Sequence, residues 1–234
     1  DRRVDAAIRQ ASLLVSSIPD SYKAIKKYKK RESVVIPETG CFDETIVSDY
    51  LKRFEGEALN VMWVGKFDFR KRLDIVIKTL AKTESTNIRL KVFGSGTPEQ
   101  INNAKALASK LNVNGQITWM GNRPKREMAR ADLFLFTSVS EDTSTVVLEA
   151  ISSHLPVLCF DTCGMSSVID CKVGIKISLT NPVQSIKDFA EKIEYLYSHR
   201  DVLKTLSDNC IERQKELSWD SKAKKMVGLY EQVL

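Results

Sequence analysis

From Leu59 onward, short apolar runs alternate with amphipathic runs, and this alternation is the feature that most restricts the fold. The run 59–64 (LNVMWV) is typical of a buried strand, and Leu73, Val76, Ile77 and Leu80 then recur at the spacing of one helix face. The same pattern predicts strands at 88–93, 117–120, 133–136 and 157–160, with helices at 97–111, 125–130 and 145–153 between them. We therefore expect an α/β fold: a Rossmann-like, doubly wound parallel sheet with helices on both faces.

The length and composition are those of a globular protein. A chain of 234 residues can bury a large core without cross-links, and 43% hydrophobic with 28% charged residues excludes a disordered chain. No apolar run of about 18 residues occurs, so no transmembrane helix is expected, and no basic-then-apolar leader is visible. The sequence starts at Asp1 rather than Met, which leaves a fragment of a longer protein as one interpretation.

The charge and the cysteines limit the classes of partner and the cellular compartment. The net charge of +6 suits an anionic small ligand, an acidic membrane surface or nucleic acid. Nucleic acid is not predicted as a partner, because the charge is dilute and no helix-turn-helix, zinc-finger or RNA-binding motif is present. Five cysteines without a CxxC pair, together with two histidines, argue against disulfides and zinc, so we expect reduced thiols in a cytoplasmic protein.

A basic helix is predicted near the start of the chain, at 19–30, where the sequence reads KAIKKYKK from Lys23. The simpler interpretation is a solvated amphipathic helix. The alternative is peripheral association with the inner face of a membrane, since lysines of such a helix can attract anionic lipids.

The predicted strands end in glycine-rich or polar residues, at 65–66, 94–96, 121–123 and 138–145. Ligands of open parallel sheets bind outside this carboxyl edge. A dinucleotide motif GxGxxG would need glycine at position 99, where Glu99 stands, and no P-loop sequence occurs. The candidate site is therefore this edge, without either standard nucleotide motif.

A basic loop follows the first of these strands. Gly65 precedes four cations, Lys66, Arg70, Lys71 and Arg72. Cations at the carboxyl end of a strand can hold phosphate oxygens, and the glycine lets the backbone bend. The alternative is a solvated basic loop.

Two carboxylates, Glu141 and Glu149, lie seven residues apart around the start of a predicted helix. Carboxylates accept hydrogen bonds from sugar hydroxyls. Between them we expect free N–H groups at Thr143, Ser144 and Thr145, where a helix N terminus can bind phosphate. The alternative is two surface glutamates.

Taken together, these residues resemble the retaining glycosyltransferases of the GT-B fold, in the group 1 (GT4) family. The family pattern appears here, in order, as Val64-Gly65-Lys66 with Lys71, Gly94-Ser95-Gly96, Glu141 to Glu149, Leu155-Pro156-Val157 and Gly164. The resemblance covers roughly residues 59–230. Each element alone is weak, but their order and spacing make the combination specific.

The resemblance implies a role for each matching residue. Lys66 and Lys71 would bind the diphosphate and stabilise the leaving group, and Glu141 would contact the donor sugar. Glu149 would bind the ribose hydroxyls. The implied nucleotide-binding residues are Gly65, Gly94, Asn122, Arg123, Thr143, Ser144, Thr145 and Glu149. The co-substrate would be a UDP- or GDP-sugar, with no metal and no other cofactor.

The resemblance also implies a division of the chain. Residues 1–57 would be the end of an N-terminal domain and the interdomain connection, 58–215 the nucleotide-sugar-binding domain, and 216–234 a C-terminal helix. The chain would be the C-terminal half of a GT-B enzyme, and the acceptor site, for a glycan or lipid-linked acceptor of polysaccharide biosynthesis, would lie on the missing N-terminal domain. We therefore expect weak donor binding and no transfer by this chain alone.

The sequence departs from the family pattern at several places, including Lys66 in place of arginine, the stretch 142–145 and His154 in place of glycine. Asp142 stands where the family usually has glycine, and Ser167 stands where many relatives have glutamate. Two alternatives consequently stay open: a nucleotide-sugar epimerase-like enzyme on the same architecture, and a non-catalytic nucleotide-binding module.

Overall fold

The computed structural model describes residues 2–41, 53–121 and 125–234 and places a six-stranded sheet at the centre of the fold. Its strands are β3 (Leu59–Lys66), β4 (Ile88–Ser95), β5 (Ile117–Gly121), β6 (Leu133–Phe136), β7 (Val157–Phe160) and β8 (Gly174–Ile177). They lie in the order β5-β4-β3-β6-β7-β8, and every neighbouring pair is parallel. The predicted doubly wound α/β fold is confirmed.

Helices connect the strands and continue to the end of the chain. They are α3 (Leu73–Leu80), α4 (Pro98–Lys110), α5 (Lys125–Met128), α6 (Thr145–Ser152), α7 (Met165–Val168), α8 (Pro182–Ser198), α9 (Arg200–Glu216) and α10 (Trp219–Glu231). A short 3₁₀ helix, Asn114–Gln116, precedes β5. None of the described helices is long and apolar enough to cross a bilayer.

Alternate residues of β3 explain why helices cover both faces of the sheet. Leu59, Val61 and Trp63 are buried in one hydrophobic cluster with residues of α3, α4 and α8. Met62 lies in a second cluster with residues of α6 and α7. Because successive side chains of a strand point to opposite faces, this strand is apolar on both.

An N-terminal segment lies apart from the central sheet. It consists of α1 (Arg2–Gln10), β1 (Val15–Ser16), α2 (Pro19–Ala24) with a following π-helical turn (Ile25–Lys29), and β2 (Val34–Val35). The strands β1 and β2 form their own two-stranded parallel sheet. The segment that follows is tied to the end of the chain: Lys222 Nζ donates to the Pro37 carbonyl at 2.6 Å, and the Cys41 N–H donates to the Leu217 carbonyl at 2.9 Å.

The structure corrects several predicted boundaries. Gly94 and Ser95 belong to β4 rather than to a turn, because they continue the parallel pairing with Gly65 and Lys66 of β3. The helix α7 and the strand β8 were not predicted, because each is short and interrupted by polar residues, two serines in α7 and a lysine in β8.

Candidate functional site

The strand order reverses between β3 and β6, so the crevice at their carboxyl ends is the switch point of the sheet. Lys66 is the last residue of β3, and a loop of six residues leads from it to α3. Across the crevice, β6 ends at Phe136 and leads through Thr137 and Ser138 towards α6. The basic loop and the first predicted carboxylate therefore face the same crevice.

Asp68 shapes the basic loop. Its Oδ1 atom accepts hydrogen bonds from the N–H groups of Arg70 (3.0 Å) and Lys71 (3.1 Å), which closes a tight turn. Burial alone would raise the pKa of Asp68, but the hydrogen bonds from Lys71 and Arg70 outweigh it, so the pKa lies below its ordinary value. Arg72 then adopts a left-handed conformation (φ 52°), and α3 begins at the next residue. The turn fixes where the Lys71 side chain starts.

Hydrogen bonds join this loop to the end of β6. The Val139 N–H donates to the Arg70 carbonyl at 2.9 Å, and Thr137 Oγ1 donates to the Lys71 carbonyl at 2.8 Å. The same Thr137 oxygen accepts from the indole N–H of Trp63 at 3.2 Å. Since Trp63 is fully buried in β3, the loop is anchored to the core of the domain.

Lys71 and Glu141 form an ion pair in the crevice. Their side chains are only 13% and 16% exposed, so water screens the pair less than it would at the surface. Ser138 Oγ donates to Glu141 Oε1 at 2.9 Å, and the Lys71 ammonium lies 5.0 Å from the centre of the Phe136 ring. The structure thus brings together two of the residues predicted to act in catalysis.

Two glycines make room for this arrangement. A Cβ atom on Gly65 would lie 3.0 Å from the Trp63 ring and 3.2 Å from Lys71 Cγ, so glycine lets the lysine stem fold against the strand. A Cβ on Gly94 would lie 1.8 Å from the Gly65 carbonyl oxygen. Close packing therefore explains why glycine is needed at both of these positions.

The loop before α6 carries the predicted phosphate-binding N–H groups. The prediction that the Thr143 N–H is free is wrong, because it donates at 2.7 Å to Glu38 Oε1 from the N-terminal segment. Ser144 is the N-cap residue of α6, and its side chain makes no capping hydrogen bond among the described residues. A Cβ on Gly164 would lie 2.5 Å from the Asp142 carbonyl oxygen, so this glycine lets α7 approach the loop closely.

The remaining predicted site residues differ in how far their side chains are buried. Glu149 lies in the second turn of α6 and is half-buried, and Thr145 is the exposed first residue of that helix. Lys66 is exposed and forms no ion pair with a described residue. Asn122 and Arg123, predicted to hold the base, lie outside the described residues.

Four site residues were not singled out by sequence reasoning. Asp68 could have been found, because an aspartate that starts a turn commonly accepts the N–H of the residue two positions later. Thr137 and Ser138 follow a buried strand, as the other site residues do, but nothing in the pattern distinguishes them from ordinary loop residues. Glu38 was missed too, since its contact spans 105 residues of chain and leaves no local signal.

No group of three or more His, Cys, Asp or Glu side chains within the described ranges is arranged to hold a metal ion. A groove of about 820 Å³ runs along α8, but its lining includes none of the residues described above. The Lys71–Glu141 crevice is thus the arrangement on which a functional argument can be built.

A comparison with protein families decides the classification. The model for glycosyl transferases group 1 matches residues 52–217 of the 234-residue chain. The chain belongs to the group 1 glycosyl transferases. The match includes the whole central sheet and the crevice at its switch point.

Individual group 1 relatives match parts of the chain. It is 34% identical over 124 residues to the lipopolysaccharide glucosyltransferase WaaG of Escherichia coli K12, which is 50% of this chain and 32% of the relative. It is 29% identical over 103 residues to a Campylobacter jejuni N-acetylgalactosaminyltransferase that acts on a diphospho-undecaprenol, 43% of this chain and 27% of the relative. The chain spans about a quarter to a half of the length of the curated relatives it matches.

Solved structures of other glycosyltransferases share the fold. Anabaena HepE in complex with UDP superimposes with a TM-score of 0.80 at 18% identity, covering 98% of this chain and 66% of HepE. Crystalline WaaG superimposes with a TM-score of 0.69 at 24% identity, covering 87% of this chain and 60% of WaaG. At these identities the likeness establishes the fold of this group 1 member and nothing finer.

Proposed function

We propose that this chain is the donor-binding part of a GT4-type, retaining glycosyltransferase that uses a UDP- or GDP-sugar without a divalent metal. One observation carries the proposal: the Lys71–Glu141 pair lies at the switch point of the sheet, where the fold predicts a ligand. Membership in the group 1 family supports it, as does the UDP bound to the structurally similar HepE. The epimerase and the non-catalytic alternatives have no comparable support.

In this proposal, each side chain of the crevice has a separate role. Lys71, with Lys66 at the end of β3, neutralises the negative charge that develops on the diphosphate when its bond to the sugar breaks. Cations suit this role when the protein already holds them in position before the reaction. Glu141 accepts a hydrogen bond from a hydroxyl of the donor sugar, and Glu149 accepts from the ribose. Asp68 and Thr137 are positioning residues, because they hold the backbone that carries Lys71.

The proposal also covers the parts of the enzyme beyond this crevice. Residues 1–57 are the end of an N-terminal domain and its connection, 58–215 the donor domain, and 216–234 a C-terminal helix. The acceptor, a glycan or lipid-linked intermediate of polysaccharide biosynthesis, binds on the remainder of the N-terminal domain. In this proposal the enzyme acts in the cytoplasm, at the inner face of the membrane.

Calorimetric titration of the chain with UDP, GDP and ADP tests the donor site. We expect UDP or GDP to bind more tightly than ADP, and Lys71→Met to weaken that binding at least tenfold, because a charge-assisted contact in a poorly screened site is lost. Lys78→Met is the matched control, since Lys78 pairs with Asp74 on α3, outside the crevice. Absence of binding for all three nucleotides, or equal losses in both variants, would contradict the proposal.

A further inference from the structure

Glu38 places a carboxylate where the proposed donor site needs a phosphate. Its Oε1 atom accepts the Thr143 N–H at 2.7 Å, immediately before α6. Thr143 is only 7% exposed, and its Oγ1 atom has no hydrogen-bond partner among the described residues. A carboxylate oxygen and a phosphate oxygen make the same kind of contact with a backbone N–H.

The backbone around Glu38 is held in place from the other end of the chain. The preceding carbonyl, that of Pro37, accepts a hydrogen bond from the buried Lys222 at 2.6 Å. On the following side, Gly40 is packed so closely that a Cβ atom there would lie 3.0 Å from the Leu217 carbonyl oxygen. The contact with Thr143 is thus supported on both sides rather than made by a free loop.

A second carboxylate occupies the other half of the crevice. Glu141 pairs with the Lys71 ammonium, just as Glu38 accepts from the Thr143 N–H. Two of the groups predicted to bind the diphosphate, the Lys71 ammonium and the Thr143 N–H, are therefore satisfied by the protein's own carboxylates in this structure. Asp142, which is exposed between Glu141 and Thr143, adds a third negative charge.

We propose that Glu38 is an internal competitor of the donor diphosphate, which must displace its carboxylate from the Thr143 N–H in order to bind. This inference rests on the proposed function. Since Glu38 lies within residues 1–57, its displacement releases a contact between that part of the chain and the loop before α6. Donor binding is thereby coupled to the position of the N-terminal segment.

The test compares UDP and GDP binding to the chain and to three variants by calorimetry. Glu38→Gln keeps an oxygen that can accept from Thr143 but removes the charge, and Glu38→Ala removes both. Glu57→Gln, an exposed side chain at the opposite edge of the sheet, controls for the change in net charge. We expect both Glu38 variants to bind the nucleotide about threefold more tightly or better, and Glu57→Gln to match the unaltered chain.

The outcomes separate this inference from the function on which it rests. Unchanged or weaker binding in both Glu38 variants, with normal binding by the unaltered chain, would overturn the competitor role and leave the donor site intact. Absence of binding in every protein would overturn the donor site itself. Binding that appears only in the Glu38 variants would support both.

Discussion

Gly94 lies opposite Gly65 in the neighbouring strand, and a Cβ atom on Gly94 would lie 1.8 Å from the Gly65 carbonyl oxygen. Gly94 also has a φ of 151°, which other residues rarely adopt. We expect Gly94→Ala to lower the free energy of unfolding by roughly 2–4 kcal/mol, because the clash is with backbone. Urea denaturation measures the loss. Gly115→Ala is the control, since nothing lies within 4 Å of a Cβ there, and an equal loss in both would refute the explanation.

Arg53 is 5% exposed and holds two helix ends together. Its guanidinium donates to four carbonyl oxygens, those of Met128, Ala129, Ser153 and His154, at distances between 2.6 and 2.9 Å. We expect Arg53→Met to cost about 3 kcal/mol of stability, because four buried carbonyls lose a charged donor. Chemical denaturation measures this. Arg89→Met removes a single bond, to the Thr86 carbonyl at the surface, and is expected to cost less than about 0.5 kcal/mol.

The stability of the protein should depend on pH because of His154. Burial, and then the nearby charge of Arg53, lower the pKa of its imidazole below the ordinary value of 6.5. The unfolded chain therefore binds a proton more readily, so the contribution of His154 is complete above about pH 6.5 and is lost as the pH falls towards the folded-state pKa. Unfolding free energies at pH 7.5 and 5.5 should differ less in His154→Asn than in the unaltered chain.

Asparagine is chosen for that variant because it tolerates the left-handed φ of 52° at position 154. His199, which is exposed at the end of α8, supplies the control. His199→Asn should leave the pH dependence as it is in the unaltered chain. If it abolished the dependence instead, the assignment to His154 would be wrong.

Removing the charge of Glu141 should change the affinity for nucleotides. Because it neutralises Lys71, we expect Glu141→Gln to bind UDP or GDP about threefold more tightly than the unaltered chain. Calorimetry at a fixed low salt concentration measures the change. Glu191→Gln, on the surface of α8, is the control. Weaker binding in Glu141→Gln would mean that its carboxylate positions Lys71 more than it competes with the diphosphate.

The five cysteines predict a simple labelling pattern. All five are free thiols, and Cys171 alone is exposed. Burial raises the pKa of Cys159 and of Cys210 to about 12, so these two stay protonated at neutral pH. A thiol reagent at pH 8 should label one site rapidly and the rest only after denaturation. Cys171→Ser should remove the rapid phase, and rapid labelling of several thiols would contradict the buried positions.

The sequence predicted the parallel sheet and the crevice because both depend on local patterns. Apolar runs, or apolar residues that alternate with polar ones, identified β3 to β7, and glycine and charge after β3 indicated the basic loop around Lys71. The strand β8 was missed because Gly174–Ile177 is short and carries a lysine. The contact between Glu38 and Thr143 was missed for a different reason: it joins two distant segments, and its existence depends on how the connection returns to the sheet.

The chain passes between the N-terminal segment and the sheet near Cys41 and comes back to the same place near Leu217, where the two backbones are hydrogen-bonded at 2.9 Å. Lys222 of α10 also donates to the Pro37 carbonyl at 2.6 Å, so two hydrogen bonds join residues 37–41 to the end of the chain. A displacement of residues 37–41 would therefore break contacts at the start of α10 as well.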